Sequence, residues 1–240
     1  MAGVLEEALS RILRLDAALT VAGRTDAGVH ATGQVAHLDV PAPVWESTGP
    51  SLVRRLAGVL PGDIRVPSVG LAPEGFDARF GALYRRYEYR VSDAPWGAAP
   101  LRRADTLAWP RRLDLAAMQR ASEVLVGEHD FAAYCRRREG ATTIRALQEL
   151  SWRRDGDVLT ASVRADAFCH QMVRSLVGAL LAVGDGRHDA AWPASLLRLR
   201  ERADAVVVAP AHGLTLVEVR YPPDAELAAR AGLTRRRRTP

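Results

Sequence analysis

The sequence predicts an α+β protein of two α/β subdomains whose sheets are mixed and mainly antiparallel. Three observations carry this. Helix-like and strand-like stretches mix in both halves of the 240 residues, without the steady βαβα rhythm of a doubly wound parallel sheet. The segment LYRRYEYRV, residues 83–91, alternates, so Leu83, Arg85, Tyr87, Tyr89 and Val91 share one face and Tyr84, Arg86, Glu88 and Arg90 the other. Two further strand-like runs, 147–153 and 158–167, are joined by a tight Asp155-Gly156 turn.

In chain order, an amphipathic helix spans 4–15, with Leu5, Ala8, Leu9, Ile12 and Leu15 at helical spacing. A short apolar strand, 17–22, leads into a glycine-rich loop, and 34–40 reads as the next strand. Pro41, Pro43, Gly49 and Pro50 mark a long turn before a helix over 51–60, which Pro61-Gly62 stops. Residues 64–71 are strand-like, and 72–81 form an irregular crossing. Past the alternating strand, 92–112 is irregular and 113–125 is a helix. After the hairpin come an apolar helix over 169–183, a helix over 194–203, and strands at 206–209 and 214–221. The expected organisation is therefore an N-terminal subdomain, 1–80, carrying the glycine-rich loop, and a C-terminal subdomain, 81–224. Residues 225–240 have no apolar pattern and are expected to form a disordered basic tail.

Hydrophobic residues make up 48% and charged residues 25% of the chain, which excludes a disordered polymer. The longest apolar run, 175–183, is about nine residues, half of the roughly 18 that a spanning helix needs. Glu6 and Glu7 stand where an export signal would be apolar, so a cytoplasmic protein without a membrane segment is expected. The two cysteines, Cys135 and Cys169, have neither the number for a disulfide framework nor zinc-ligand spacing, and buried thiols are the expectation. The formal net charge is +5, and all 33 basic residues are arginine. That balance suits a polyanion, although enzymes of anionic metabolites share it.

The chemistry-bearing stretch is VAGRTDAGVHATGQVAHLDV, residues 21–40. Asp26 there serves either an ordinary Asx-turn or a reaction. The loop lacks the Gly-Lys-Ser/Thr ending of a phosphate-binding loop, and it is not GxGxxG. In an extended chain Arg24 and Asp26 would share a side, giving the carboxylate an electrostatic partner. Arg174, in the first turns of an oily helix, is either a snorkelling surface residue or an inward-facing one. Tyr87 and Tyr89 in an arginine-rich strand are either core aromatics or a base-stacking platform. His129 and Asp130 are too few for a metal site. Cys169 and His170, adjacent on the expected helix, point about 100° apart and make no nucleophilic pair.

Taken in order, these blocks resemble one family, the tRNA pseudouridine synthases of group I. AGRTDAGVHATGQV is similar to its signature loop, FDARF followed by YRRYEYRV to its central strand, and GEHDF to its helix-exit motif. ADAFCHQMVRSLVGALLAVG and AHGLTLVEV are similar to its last two blocks, so the resemblance covers about 4–221. It implies a pseudouridine synthase fold, two subdomains flanking a basic cleft, and isomerisation of uridine at tRNA positions 38, 39 and 40. No cofactor or metal is implied, and the partners are the tRNA anticodon arm and a second copy in a homodimer.

By the same resemblance Asp26 is the essential carboxylate, Arg174 its ion-pair partner, and Tyr87 the ring packed on the target uracil. Arg24 displaces the target base, and Leu214 lines the pocket. His30 and Phe168 lie within the matching blocks and are expected to contact substrate. The loop glycines read as room for an RNA backbone. Two departures from the resemblance stand out: Gln171 replaces a common second His, and the first N-terminal strand expected before the helix is either lost or encoded upstream of Met1. If that loss impairs turnover, the alternative is a tRNA-binding protein without catalysis.

Overall fold

The hairpin at Asp155-Gly156 sits in the larger of two sheets. In the computed structural model, which describes residues 1–138 and 140–235, it consists of β7 (Ile144–Asp155) and β8 (Val158–Ala165). Gly156 turns the chain with φ 57°, a conformation that glycine adopts without a Cβ penalty. β8 pairs antiparallel with β4 (Tyr84–Ser92), and β4 pairs antiparallel with β9 (Leu214–Arg220). β6 (Gly127–Asp130) adds to the far side of β7, and β2 (His30–Ala31) adds in parallel to β9. A two-residue β5 (Leu107–Ala108) runs parallel to the end of β4. The resulting order is β2-β9-β4-β8-β7-β6.

The alternation of β4 has its physical outcome here: Arg85, Tyr87, Tyr89 and Val91 are buried. They join a core with α3 (Leu115–Glu123) and α4 (Met172–Gly184). Asp114 caps α3 by accepting from the Ala117 N–H at 3.0 Å. The sheet, these two helices and the segment Arg24–Gln34 belong to one compact unit, which also contains α5 (Trp192–Ser195).

The other unit comprises Met1–Gly23, Val35–Ala82 and Pro222–Arg235. In it α1 (Ala2–Leu13) and α2 (Ala42–Val59) bury Leu9, Ile12, Leu13, Leu52 and Leu56 together. A short ladder joins β1 (Thr20–Val21) and β3 (Ala36–His37).

Several sequence expectations are corrected. The long turn and the helix over 51–60 are one helix, α2, running through Pro50. Thr48, Leu52 and Leu56 form a buried i, i+4, i+8 row, and the Trp45 ring lies on Gly49, where a Cβ would come within 2.9 Å of it. That packing outweighs the backbone bond a helical proline deletes. Residues 64–71 form no strand; Ile64 and Val66 alternate only because they pack on the helical cluster. Residues 206–209 are not a strand either, because the Ala209 N–H bonds the Arg174 carbonyl on α4 at 3.0 Å. The helix expected over 194–203 is reduced to α5 and the short 3-10 turn Leu196–Arg198.

The glycine-rich loop segment, Arg24–Gln34, packs with the unit of the larger sheet, through the parallel β2–β9 pairing. The tail is helical at α6 (Leu227–Arg235), where Ala228 fits against Gly75 and Arg235 pairs with Asp77 at 2.9 Å. Residues 236–240 of that expected tail, including Arg236 to Arg238, lie outside the described residues.

Candidate active site

The glycine-rich loop is shaped by two local demands. Asp26 to Val29 is a turn closed by the Val29 N–H on the Asp26 carbonyl at 3.1 Å, with Gly28 at φ 82°. Such a turn excludes most side chains at its third position. After β2, the N–H groups of Thr32 and Gly33 both bond the Leu216 carbonyl, at 2.9 and 3.1 Å. A Cβ on Gly33 would collide with the Val217 carbonyl. Gly28 and Gly33 are therefore required by the protein's own backbone.

These anchors hold Asp26 beside the start of α4. Its Oδ2 accepts from Arg174 Nη1 at 2.8 Å, and its Oδ1 lies 3.2 Å from His170 Nε2. Arg174 is fixed in turn, because its Nε donates to the Ala209 carbonyl at 2.7 Å. The crossing 207–209 segment can approach α4 because residue 178 is glycine, where a Cβ would collide with the Val207 carbonyl. The Arg174 side chain is 16% exposed and that of Asp26 22%, so the carboxylate retains an opening to solvent. Arg24 is exposed, and no strand forms at 24–26, so the shared-side pairing of Arg24 with Asp26 is not what this backbone provides.

β4 supplies the aromatic wall. Tyr87 meets Phe168 edge to face, with ring centroids 5.2 Å apart. Burial pushes the Tyr87 phenol up to about 12, the Arg85 charge opposes that, and the Asp26 charge adds to it. Burial likewise raises the Tyr89 phenol, against the opposing charge of Arg174. The Tyr89 hydroxyl donates to the Pro210 carbonyl at 2.7 Å, and Gly213 lies against its ring. Leu214 is buried on β9 opposite Tyr89, within the core. His30 Nε2 lies 2.7 Å from the Ala104 carbonyl, which ties β2 to the 92–112 connection.

His170 is the site residue that sequence reasoning passed over. The expected helix start at Cys169 is corrected to Met172, with Gln171 in the left-handed region at φ 67°. Cys169 and His170 thus lie in a turn and need not follow helical directions. Cys169 is joined to Cys135, with Cα atoms 5.7 Å apart, which corrects the expectation of two free thiols. The short turn Ala132–Tyr134 brings Cys135 there. The spacing of four between His170 and Arg174 was the available signal.

His129 and Asp130 are spoken for structurally. Asp130 accepts from Thr143 at 2.6 Å, from the Ala132 N–H at 3.1 Å and from Arg200 at 3.1 Å. Among the described residues no group of three or more His, Cys, Asp or Glu is arranged to hold a metal ion.

A family model described as tRNA pseudouridine synthase matches residues 121–222, the part holding Phe168, His170, Arg174 and Leu214. A tRNA pseudouridine synthase A from Frankia casuarinae is 63% identical over 240 residues, covering 99% of this chain and 86% of that protein. Similar proteins of the same name come from Streptomyces griseus, 58% identical with 99% and 85% covered, and Mycobacterium leprae, 52% identical with 96% and 85% covered. The chain belongs to the tRNA pseudouridine synthase A family. These relatives extend the match over Asp26 and Tyr87, which lie outside residues 121–222. The mixed, mainly antiparallel sheet and its helices are consistent with a pseudouridine synthase fold.

Proposed function

We propose that this protein isomerises uridine to pseudouridine in tRNA, with Asp26 as the catalytic carboxylate. The observation that carries the reading is the Asp26 carboxylate itself, gripped by Arg174, flanked by His170, and still partly open to solvent. The reaction breaks the C1′–N1 bond, turns the uracil, and joins C5 to C1′. C5 then loses a proton and N1 gains one, so no atom is lost overall. A positioned carboxylate can serve this chemistry by adding to the sugar or the base, or by moving a proton. Tyr87 and Phe168 would wall the detached uracil, with Tyr87 neutral at working pH because its phenol is raised to about 12.

A stem-loop base must leave its stack to reach such a site. In this reading the exposed Arg24 fills the gap, while His30 and Leu214 support the pocket from β2 and β9. Arg136, Arg137 and Arg138 are exposed just beyond Cys135, and phosphate tracking by such residues makes binding steeply salt-dependent. By family resemblance the target is the anticodon arm at positions 38, 39 and 40, bound by a homodimer in the cytoplasm.

The test is tritium release from unmodified tRNA labelled at uridine C5. Asp26→Asn should lower turnover by about 10⁴-fold, as loss of a chemical group does in other enzymes, while tRNA affinity stays within about threefold. Turnover that survives the substitution would remove Asp26 from its role. Release confined to substrates with uridine at 38–40 would fix the specificity, and release from other stems would refute it.

A further inference from the structure

We propose that His170 is a positioning residue for the Asp26 carboxylate, an inference that rests on the catalytic reading of Asp26. Arg174 grips one oxygen, Oδ2, through one nitrogen, because its Nε is committed to the Ala209 carbonyl. A carboxylate held at one oxygen can swivel about its Cβ–Cγ bond. His170 Nε2, 3.2 Å from Oδ1, restrains the other oxygen and so fixes the plane in which the remaining lone pairs project. A misplacement of about 1 Å at a reacting atom can cost about 100-fold in rate.

The backbone around His170 is built for this placement. Gln171 and Arg14 are the two non-glycine residues with positive φ among those described, and backbone of that kind persists where its surroundings impose it. The His170 carbonyl accepts from the Arg136 N–H at 2.9 Å, and the Gln171 side chain accepts from Arg202 at 2.8 Å. One residue earlier, Cys169 is joined to Cys135 and its carbonyl accepts the Met172 N–H at 3.1 Å. The left-handed turn lets His170, ahead of α4, and Arg174, one turn into it, reach the same carboxylate. Continuous helix from Cys169 would not need any of these restraints.

Single-turnover rates and tRNA dissociation constants of His170→Ala and His170→Gln test the proposal on the full chain. A Gln Nε2 can occupy nearly the position of the imidazole Nε2 and donate from it. His170→Ala should slow the chemical step about 10- to 100-fold, with the dissociation constant within about threefold, as expected for lost positioning. His170→Gln should recover the rate to within about threefold of the parent, because the donor is restored. An Ala variant as fast as the parent overturns the proposal, as does a Gln variant no better than Ala. Weakened tRNA binding that accounts for the whole loss would also overturn it, assigning His170 to RNA contact. Asp26→Asn run alongside separates the two readings. If it turns over, the Asp26 assignment fails; if it is silent while His170→Ala is full-rate, only the His170 role fails.

Discussion

Two aspartates of the same unit, Asp26 and Asp93, both hold arginine partners, and they differ in what is left over. The Asp93 side chain is fully buried and saturated. Arg154 reaches both its oxygens at 2.9 Å, Arg112 adds a contact at 3.0 Å, and the Leu113 N–H donates at 2.9 Å. Burial alone would raise its carboxyl, but the Arg154 hydrogen bonds, the Leu113 N–H and the charges of Arg154 and Arg112 together hold it below the ordinary carboxylate value. Asp26 has one guanidinium nitrogen, one imidazole and an opening. A saturated carboxylate joins elements; one with spare acceptor capacity can still meet a substrate.

The sharpest way to break this contrast is to delete each charge in turn. Asp93→Asn should cost about 3–5 kcal/mol, because it strands a largely buried Arg154, and a urea midpoint measures it. Asp26→Asn should cost less, about 1–3 kcal/mol, since the Asp26 side chain is 22% exposed against 0% for Asp93 and the carboxamide still accepts from Arg174. Equal losses would erase the distinction between a joint and a site.

The second test uses acid. Native Asp93 holds its proton less tightly than the unfolded chain does, so its stabilisation is complete above the ordinary value of 3.8 and fades as pH falls through its lower native value. Asp130 and Asp77 are depressed in the same direction by their own partners, against the raising effect of burial. Acid unfolding followed by circular dichroism should therefore flatten measurably in Asp93→Asn, and an unchanged acid limb would refute its share.

The smallest effect concerns Tyr87. Its phenol is raised to about 12, so the native state keeps that proton while the unfolded chain ionises near 10. Its stabilisation is full below pH 10 and lost as pH rises toward 12, a loss that Tyr87→Phe should remove. If the ring and not the hydroxyl serves the base, Tyr87→Phe keeps the rate within about tenfold, whereas Tyr87→Ala loses about 100-fold of stacking support. A rate step in Tyr87→Phe as large as in Tyr87→Ala would give the hydroxyl the leading part.

Legibility in the sequence followed the range of the forces involved. The β4 alternation and the Asp155-Gly156 hairpin were readable, because period-two burial and turn chemistry are local. The run through Pro50 was not, because the packing of Leu52 and Leu56 on the distant Leu9, Ile12 and Leu13 of α1 outweighed a local breaker. The start of α4 was misplaced for the same reason, since bonds from Arg136 and Arg202 maintain a left-handed Gln171. Asp93 carried no motif, and its partners lie 19 to 61 residues away.

By itself the sequence determined the α+β class, the chemical identity of the loop and the family blocks that single out Asp26, Tyr87 and Arg174. Only the tertiary structure decided that Gly28 serves a turn and Gly33 the sheet, that Asp26 meets Arg174 across 148 residues of chain, and that His170 lies beside the same carboxylate. Side-chain type is written locally, whereas partnership depends on backbone crossings such as Gly33 at Val217 and Gly178 at Val207, which exist only once the sheet has formed.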